Sequence, residues 1–209
     1  LLGDLAEDIA FLRRFRREAR TLEALAHPNI VRFYGLEQVD GLALMMMDYI
    51  EGVHLRKAIF ENHAALPLEQ VLGIMRPVTA ALHYAHQQDI AHCDMKPANV
   101  MIKQNGDVFV ADFGISRLAE SATTTMAGAG TPAYMAPEQC RAEAVDGRTD
   151  IYALGILLYE MVTGGERPFV GEHATGTGST SEKVRWERRR APPTSPRAVT
   201  PTLPSAVEQ

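Results

Sequence analysis

The first quarter of the chain changes from helical to strand-like spacing of its apolar residues. From about residue 5 to residue 26, apolar residues recur at spacings of three and four, which predicts one amphipathic helix. The His-Pro-Asn sequence at 27–29 should end that helix. Two apolar runs follow at 30–36 and 42–49, and the turn signal at 40–41 between them predicts a pair of strands.

Beyond a break at 51–52, the spacing becomes mainly helical. The sequence predicts a short helix over 55–62 and a long helix over 68–88, and Pro77 should kink or locally unbond the long one. The long helix is expected to bury a stripe of apolar side chains, namely Val71, Ile74, Val78, Leu82 and Ala85.

The second half of the chain contains a hairpin, a loop and a strongly apolar helix. The hairpin is expected from 100 to 110, with its turn at Asn105-Gly106. Residues 115–135 are rich in Ser, Thr, Ala and Gly without a period, which indicates a loop. Residues 151–163 are apolar nearly all round, which predicts a fully buried helix that ends at 164–165.

Composition narrows the class of protein. The 209 residues are 46% hydrophobic and 22% charged with a net charge of −5, which is typical of a soluble globular protein and gives no reason to expect nucleic acid as a partner. Two cysteines, Cys93 and Cys140, are too few for a disulfide framework, so a cytoplasmic location is expected. No apolar stretch reaches the roughly 18 residues of a membrane helix, so we expect no membrane contact from this chain.

The most informative polar stretch runs from His92 to Asn99 and is followed by Asp112-Phe113-Gly114. Transfer of a phosphoryl group needs a carboxylate that accepts the proton of the acceptor hydroxyl and hard oxygen ligands that hold Mg²⁺ on the phosphates. Asp94 suits the first role. Asn99, five positions later, can fold back beside Asp94 and offer an oxygen to a metal, and Asp112 can supply a second oxygen. This spacing predicts a phosphoryl-transfer centre.

The pattern H-x-D-x-K-x-x-N followed by D-F-G resembles the signature of the protein kinase family. The resemblance implies an α+β, protein-kinase-like two-lobe fold with a mainly α-helical large lobe. It also implies ATP-dependent phosphorylation of Ser or Thr hydroxyls in a protein substrate, with ATP and Mg²⁺ as cofactors. The residues at 27–31, 96–100 and 136–139 look most like the corresponding motifs of the eukaryotic-type Ser/Thr kinases of bacteria.

The resemblance implies a role for each residue of the central motifs. Asp94 is the catalytic base, and Lys96 neutralises the transferred phosphate and contacts the nucleotide. Asn99 and Asp112 hold Mg²⁺. The presence of Lys96 resembles the Ser/Thr branch of the family rather than the Tyr branch.

The same resemblance implies nucleotide contacts in the first half of the chain. Glu18 matches the helix glutamate that pairs with a strand lysine, although a solvated helix charge is the ordinary interpretation of such a residue. Met47 lies at the gatekeeper position, and the hinge from Asp48 to Ile50 would bind adenine through backbone groups. Met101 belongs to the nucleotide-binding set as well.

Residues 130–138 resemble the segment that seats the substrate residue, and the Thr131 hydroxyl would bridge toward Asp94 and Lys96. Asp150 could be an N-terminal helix charge. The resemblance instead implies that Asp150 hydrogen-bonds the backbone of the loop that carries Asp94.

Histidines and a cysteine between residues 83 and 93 loosely resemble metal ligands. A zinc site is disfavoured, because two of the histidines fall on the long predicted helix and no second Cys/His pair completes a tetrahedral site. His92 is better interpreted as a packing residue under Phe113.

Three features depart from the family pattern. Cys93 stands where many kinases carry an arginine that grips a phosphorylated loop, so activity should depend less on phosphorylation of Ser121 or Thr123 to Thr125. The sequence has no lysine before Lys57 and no glycine-rich phosphate loop, so Mg-ATP binding by this polypeptide should be weak. Glu138 is expected to lack its arginine partner.

We therefore expect a kinase domain that is truncated at both ends. Residues 1–50 would be the remnant of the small lobe, residues 51–190 a truncated large lobe, and residues 191–209 an extended or disordered proline-rich tail. Two alternatives stay open. One is a non-catalytic, kinase-like scaffold or binding module, and the other is a small-molecule phosphotransferase, which would not be expected to carry the 130–138 segment.

Overall fold

The computed structural model of the chain describes residues 19, 21–39, 42–61, 64–113, 133–172 and 179–205. The strands are β1 (Phe33–Val39), β2 (Leu42–Met47), β3 (Gly52–His54), β4 (Val100–Lys103) and β5 (Val108–Val110). The helices are α1 (Leu55–Phe60), α2 (Leu68–His86), α3 (Pro137–Cys140), α4 (Gly147–Thr163), α5 (Thr180–Arg190) and α6 (Pro196–Val199). This order of small sheets and longer helices is the α+β arrangement expected from the sequence.

The described end of the first predicted helix lies at residues 19 and 21–23, with Ala24 in a turn. The helix therefore ends before Ala26, because the Leu25 N–H bonds back to the Leu22 carbonyl at 3.1 Å and tightens the chain. Ala19, Leu22 and Leu25 are buried, as the apolar spacing predicts. Residues 5–18 of the prediction lie outside the described residues.

Strands β1 and β2 form an antiparallel ribbon in which Phe33 pairs with Met47. The predicted first strand began at Ile30, and this boundary is wrong. Ile30 instead forms a parallel bridge with Val110, and the Val31 N–H donates to the Val110 carbonyl at 2.9 Å. The backbone around residue 30 therefore joins the start of the chain to β5. The turn at 40–41 lies outside the described residues.

The second sheet has the order β3-β4-β5, and all of its pairs are antiparallel. The hairpin of β4 and β5 and its turn at Asn105-Gly106 are confirmed, with Gly106 at φ 90°. The break expected at 51–52 is wrong, since Gly52 begins strand β3. A Cβ on Gly52 would lie 2.4 Å from the Ile102 carbonyl oxygen, so glycine permits close approach of two strands here.

Helix α2 continues through Pro77 and ends two residues before the predicted limit at Gln88. The apolar stripe expected on this helix is confirmed as buried, with Val71, Ile74, Val78, Leu82 and Ala85 all in the core. The stripe packs toward α4 and β5, and together these elements form the centre of the molecule.

Helix α4 begins at Gly147, four residues before the predicted start, because the Asp146 side chain accepts a hydrogen bond from the Arg148 N–H and caps the helix. Its end at Gly164, which has φ 76°, is confirmed. The expected burial all round is wrong at Ile151, which is 59% exposed.

The described C-terminal residues, 191–205, differ from the expectation of an extended or disordered tail over 191–209, and residues 206–209 lie outside the described residues. Residues 196–199 form helix α6, and Leu203 is only 8% exposed. The Thr194 N–H also donates to the Pro168 carbonyl at 3.3 Å. Helix α6 packs against α4. Within the described ranges, no helix is both long enough and apolar enough to span a bilayer.

Candidate active site

The loop formed by residues 92–99, called here the 92–99 loop, is anchored by one carboxylate at the start of α4. Asp150 is fully buried and accepts hydrogen bonds from the N–H groups of His92 at 2.8 Å and Cys93 at 2.7 Å. His86 of α2 donates to the same carboxylate from Nε2 at 2.7 Å. Two helices therefore fix the backbone that precedes Asp94, and this contact matches the anchoring role expected for Asp150.

The hydrogen bonds of His92 define its tautomer. Its Nε2 lies 2.8 Å from the Ala111 carbonyl oxygen, which can only accept, and its Nδ1 lies 3.2 Å from the Asp94 N–H, which can only donate. The proton is therefore on Nε2. The ring also lies against Phe113 with 4.7 Å between centroids. His92 thus holds the 92–99 loop to the residues after β5, in the packing position expected for it.

The side chains of Lys96 and Asn99 both contact Asp94 within the 92–99 loop. The Lys96 Nζ lies 2.5 Å from the Asp94 Oδ2. The Asn99 Nδ2 donates to the Asp94 main-chain oxygen at 2.9 Å and to Oδ2 at 3.3 Å. Asn99 is buried in a short 3₁₀ turn over Pro97–Asn99, whereas Asp94 and Lys96 are partly exposed. The loop therefore presents a carboxylate and an ammonium group to solvent from a fixed backbone.

Asp112 reaches the same region from the end of β5. The Ala111 N–H donates to the Asn99 carbonyl at 2.9 Å, so Asp112 follows directly after a contact with the 92–99 loop. Its side chain is exposed and its backbone has φ 60°. Cys93 has φ 64°. Cys93, directly before Asp94, and Asp112 are therefore both in the left-handed region, and such outliers concentrate at functional sites.

The donor atoms fit a magnesium ion that is shared with phosphate groups. Since the amide nitrogen of Asn99 faces Asp94, its amide oxygen points away and is the atom that can bind a cation. Asp112 offers an exposed carboxylate. Magnesium prefers oxygen ligands and is commonly held by one or two carboxylates together with substrate phosphates. Asn99 and Asp112 would hold the ion, which when bound neutralises charge on the phosphates.

The nucleotide contacts expected from the sequence begin at the end of β2. Met47, at the end of β2, lines a small cavity together with Asp112 and Phe113. The Asp48 N–H is bonded to the Arg32 carbonyl at 2.9 Å, so the backbone atom that Asp48 can offer a ligand is its carbonyl oxygen.

The other two expected nucleotide contacts are Ile50 and Met101. Ile50 follows β2 and is half-buried. Met101 is half-buried in β4, opposite Phe109 of β5 and His54 of β3. Glu18 and Thr131 lie outside the described residues, so their roles stay predictions from the resemblance.

The end of the 130–138 segment contacts the 92–99 loop through a residue to which the sequence assigned no role. Gln139 accepts a hydrogen bond from the Ala136 N–H at 2.9 Å and donates from Nε2 to the Cys93 carbonyl at 2.8 Å. No spacing or charge pattern marks this glutamine. Its function depends on a contact between residues 46 positions apart.

Glu138, which the sequence predicts to lack an arginine partner, has a hydroxyl partner. The Thr149 hydroxyl donates to its Oε1 at 2.6 Å. The early start of α4 at Gly147 explains this contact, because it places Thr149 in the first turn of the helix and over α3. Glu138 is half-buried and therefore also partly hydrated.

The three histidines considered as metal ligands each have another hydrogen-bond partner. His83 lies 3.1 Å from the Gln87 side chain, His86 bonds Asp150, and His92 bonds Ala111. In the part of the chain that the structure describes, no three His, Cys, Asp or Glu side chains lie close enough together to hold a metal ion. A metal at Asn99 and Asp112 would take its remaining ligands from phosphate and water.

Comparison with known proteins agrees with this geometry. The profile of the protein kinase domain matches residues 5–200. The chain is 39% identical over 207 residues to the serine/threonine-protein kinase PrkC of Bacillus subtilis, covering 98% of the chain and 31% of that protein. It is 40% identical over 219 residues to the serine/threonine-protein kinase PknB of Mycolicibacterium smegmatis, covering 99% of the chain and 34% of that protein. The chain thus spans about a third of the length of these relatives.

A solved structure shows the same fold. The kinase domain of PknI from Mycobacterium tuberculosis superposes with a TM-score of 0.69 at 31% sequence identity. The match covers 96% of this chain and 69% of that domain.

Proposed function

Because this chain belongs to the protein kinase domain family, we propose that the protein carrying it transfers the γ-phosphate of ATP to Ser or Thr hydroxyls of a protein substrate. The family and its bacterial serine/threonine branch are those expected from the motifs at 92–99 and 112–114. The two-lobe kinase fold is likewise confirmed by the structural neighbours.

The observation that carries the proposal is the contact of Lys96 and Asn99 with a single carboxylate oxygen of Asp94. In phosphoryl transfer there is little covalent chemistry for the protein to perform, so catalysis consists of positioning and charge stabilisation. Asp94 orients the acceptor hydroxyl and accepts its proton. Lys96, 2.5 Å from that carboxylate, stabilises negative charge on the group in transfer.

Positions of the surrounding residues support this assignment of roles. Asp150 and His92 hold the backbone that leads into Asp94, which reduces the reorganisation needed when the acceptor arrives. Asn99 and Asp112 supply oxygen atoms for the Mg²⁺ that accompanies ATP. Asp48, Ile50 and Met101 provide the adenine end of the nucleotide site. Since ATP is required, we place the reaction in the cytoplasm.

Substitution of Asp112 by Asn tests the metal-binding part of the proposal. Removal of one carboxylate ligand should lower phosphorylation of a Ser/Thr substrate by about 100-fold or more, because the metal contributes several kcal/mol of charge stabilisation. The measurement is incorporation of labelled phosphate from ATP at several Mg²⁺ concentrations, with the natural protein that carries this chain.

Asp107→Asn is the matched control for Asp112→Asn. Asp107 lies in the exposed turn of the β4-β5 hairpin, where it contacts Asn105, so activity should stay at the wild-type level. Equal activity of the two variants would contradict the metal assignment. No transfer by the unchanged protein would favour the non-catalytic scaffold.

A further inference from the structure

A buried polar cluster lies at the C-terminal half of α4, away from Asp94. Glu160 is fully buried in this apolar helix. The Tyr134 hydroxyl lies 2.9 and 2.8 Å from its two carboxylate oxygens, and the Arg167 Nε donates to one of them at 2.7 Å. The Arg167 guanidinium also lies 5.4 Å from the centre of the Tyr134 ring.

The three members of this cluster depend on one another. A buried carboxylate without a partner is strongly destabilising, so Arg167 compensates the charge of Glu160. Burial raises the pKa of the Tyr134 phenol, and the neighbouring Glu160 charge raises it further. The Tyr134 hydroxyl therefore stays protonated at neutral pH and donates a hydrogen bond to the carboxylate of Glu160. The effect is that Arg167, through Glu160, fixes the position of Tyr134.

A second arginine holds the backbone on both sides of Tyr134. Arg188 of α5 is only 6% exposed. Its guanidinium donates to the Met135 carbonyl at 2.5 Å and also to the Ala133 carbonyl. Residues 133–136, called here the 133–136 segment, are thus held by Arg167 through a side chain and by Arg188 through main-chain oxygens.

The far end of the 133–136 segment is joined to the 92–99 loop. The Ala136 N–H donates to Gln139, and Gln139 donates to the carbonyl of Cys93, the residue before Asp94. The segment belongs to residues 130–138, which by the resemblance seat the substrate residue that brings its hydroxyl to Asp94. Its position therefore affects how the acceptor is presented to Asp94.

We propose that Arg167 and Arg188 are positioning residues that hold the 133–136 segment beside the 92–99 loop, where a protein substrate is bound. This inference rests on the proposed kinase function. Both arginines act through other residues. Glu160 transmits the effect of Arg167, and the main-chain carbonyls transmit that of Arg188.

Hydrogen exchange tests the positioning directly and needs no enzymatic activity. In Arg167→Ala and Arg188→Ala the Ala136 amide should exchange at least about tenfold faster, because each variant loses charge-assisted hydrogen bonds. The amides of α2 should keep their wild-type rates. Matched controls are Arg148→Ala, an exposed arginine paired with Asp146, and Arg189→Ala, an exposed arginine on α5.

Tyr134→Phe guards against a variant that fails to fold. It removes the hydroxyl that joins the segment to Glu160 but leaves the Glu160–Arg167 pair intact. We expect it to accelerate exchange at Ala136 as Arg167→Ala does. Exchange at the rate of Arg148→Ala and Arg189→Ala in all three variants would overturn the inference.

Kinetics of the same variants test the link to the substrate. The KM for a protein or peptide acceptor should rise about tenfold, while the KM for ATP stays unchanged. The Arg167→Lys variant should have an acceptor KM closer to that of the wild type than Arg167→Ala, because an ammonium group can still pair with Glu160. Accelerated exchange with an unchanged acceptor KM would overturn the substrate-positioning role and leave the kinase function intact. A wild-type protein that transfers no phosphate would contradict the kinase function, and hydrogen exchange would still decide whether the arginines hold the segment.

Discussion

At the scale of single residues, Asp150 links the fold to the chemistry. Its carboxylate accepts from two consecutive backbone N–H groups and from His86, so one side chain fixes the turn that precedes Asp94. The turn includes Cys93 at φ 64°, a backbone conformation that is energetically unfavourable for residues other than glycine. The hydrogen bonds to Asp150 offset that cost and keep Asp94 in place.

Asp150→Asn should therefore lower stability and activity together. The amide presents an NH₂ group to at least one of the three donors, and loss of a buried hydrogen bond to a charged acceptor costs about 1.5–3 kcal/mol. We expect a decrease of this size in the free energy of unfolding measured in urea, and a loss of phosphoryl transfer. Asp89→Asn is the control, since Asp89 is exposed with φ 57°, which asparagine tolerates. Equal stability of the two variants would contradict the anchoring role.

The meeting of Asp94, Lys96 and Asn99 was predictable, and so were the positioning contacts of Asp150 and His92, whereas other positioning residues were not. Asp94, Lys96 and Asn99 lie within six positions, so their spacing along the chain already indicates that they meet. Gln139 contacts Cys93, Glu160 contacts Tyr134, and Arg188 contacts Met135, each through a pair distant in sequence, and these residue types are common on any helix. Only the folded arrangement identifies them.

At the scale of elements, the start of α4 depends on a close contact with α2. A Cβ on Gly147 would lie 2.8 Å from the His86 Nδ1 and 3.0 Å from two ring carbons. Glycine thus allows the first turn of α4 to approach the histidine that bonds Asp150. By contrast, a Cβ on Gly155, further along the same helix, would meet nothing within 4 Å.

Alanine substitutions at these two glycines should have opposite effects. Gly147→Ala should lower the free energy of unfolding by about 1–3 kcal/mol, because the added methyl group overpacks against His86. Gly155→Ala should raise it by about 0.5–1 kcal/mol, because alanine favours a helix interior. Urea denaturation of both variants measures the difference. A stabilised Gly147→Ala protein would show that the contact with His86 is not limiting.

The N-terminal cap of α4 should make the stability of the protein depend on pH. Hydrogen bonds from the Arg148 side chain and then from its backbone N–H lower the pKa of Asp146. A carboxyl group whose pKa is lowered by folding stabilises the protein above its unfolded pKa, and this contribution is lost as the pH falls through the folded pKa. Asp146→Asn should therefore have a lower Tm than the wild type at neutral pH. The difference should persist above about pH 4 and shrink as the pH falls further, through the lowered pKa of the folded protein. A difference in Tm that does not change with pH would contradict this account.

Local sequence patterns predicted the helices and turns better than the contacts that these elements make with distant parts of the chain. The apolar stripe of α2 and the Asn-Gly turn of the hairpin are visible within a few residues, and both were confirmed. Strand β3 was not predicted, because glycine normally interrupts a strand pattern. Gly52 lies in a strand because it allows close approach to the backbone of Ile102, which is distant in the chain. The strand boundary at Ile30 was wrong for a similar reason, since its bridge to Val110 joins residues far apart in the chain.

At the scale of the whole molecule, the 92–99 loop lies where the main structural units meet. Helix α4 supplies Asp150, helix α2 supplies His86, and the residues after β5 contact His92 and Asn99. Residues 196–199, in α6, also pack on α4, which the proline content did not indicate. The chemistry is therefore positioned by the core, and the described C-terminal residues belong to the same fold. The lobe boundaries at 50 and 190 stay predictions.

The central claim is that Asp94 serves as the base for phosphoryl transfer to a Ser or Thr hydroxyl. The most direct test is transfer of labelled phosphate from Mg-ATP to a protein acceptor by the natural protein that carries this chain, compared with its Asp94→Asn and Asp89→Asn variants. We expect phosphoserine or phosphothreonine with the wild type and Asp89→Asn, and a rate at least about 100-fold lower with Asp94→Asn. Transfer at the wild-type rate by Asp94→Asn would contradict the claim.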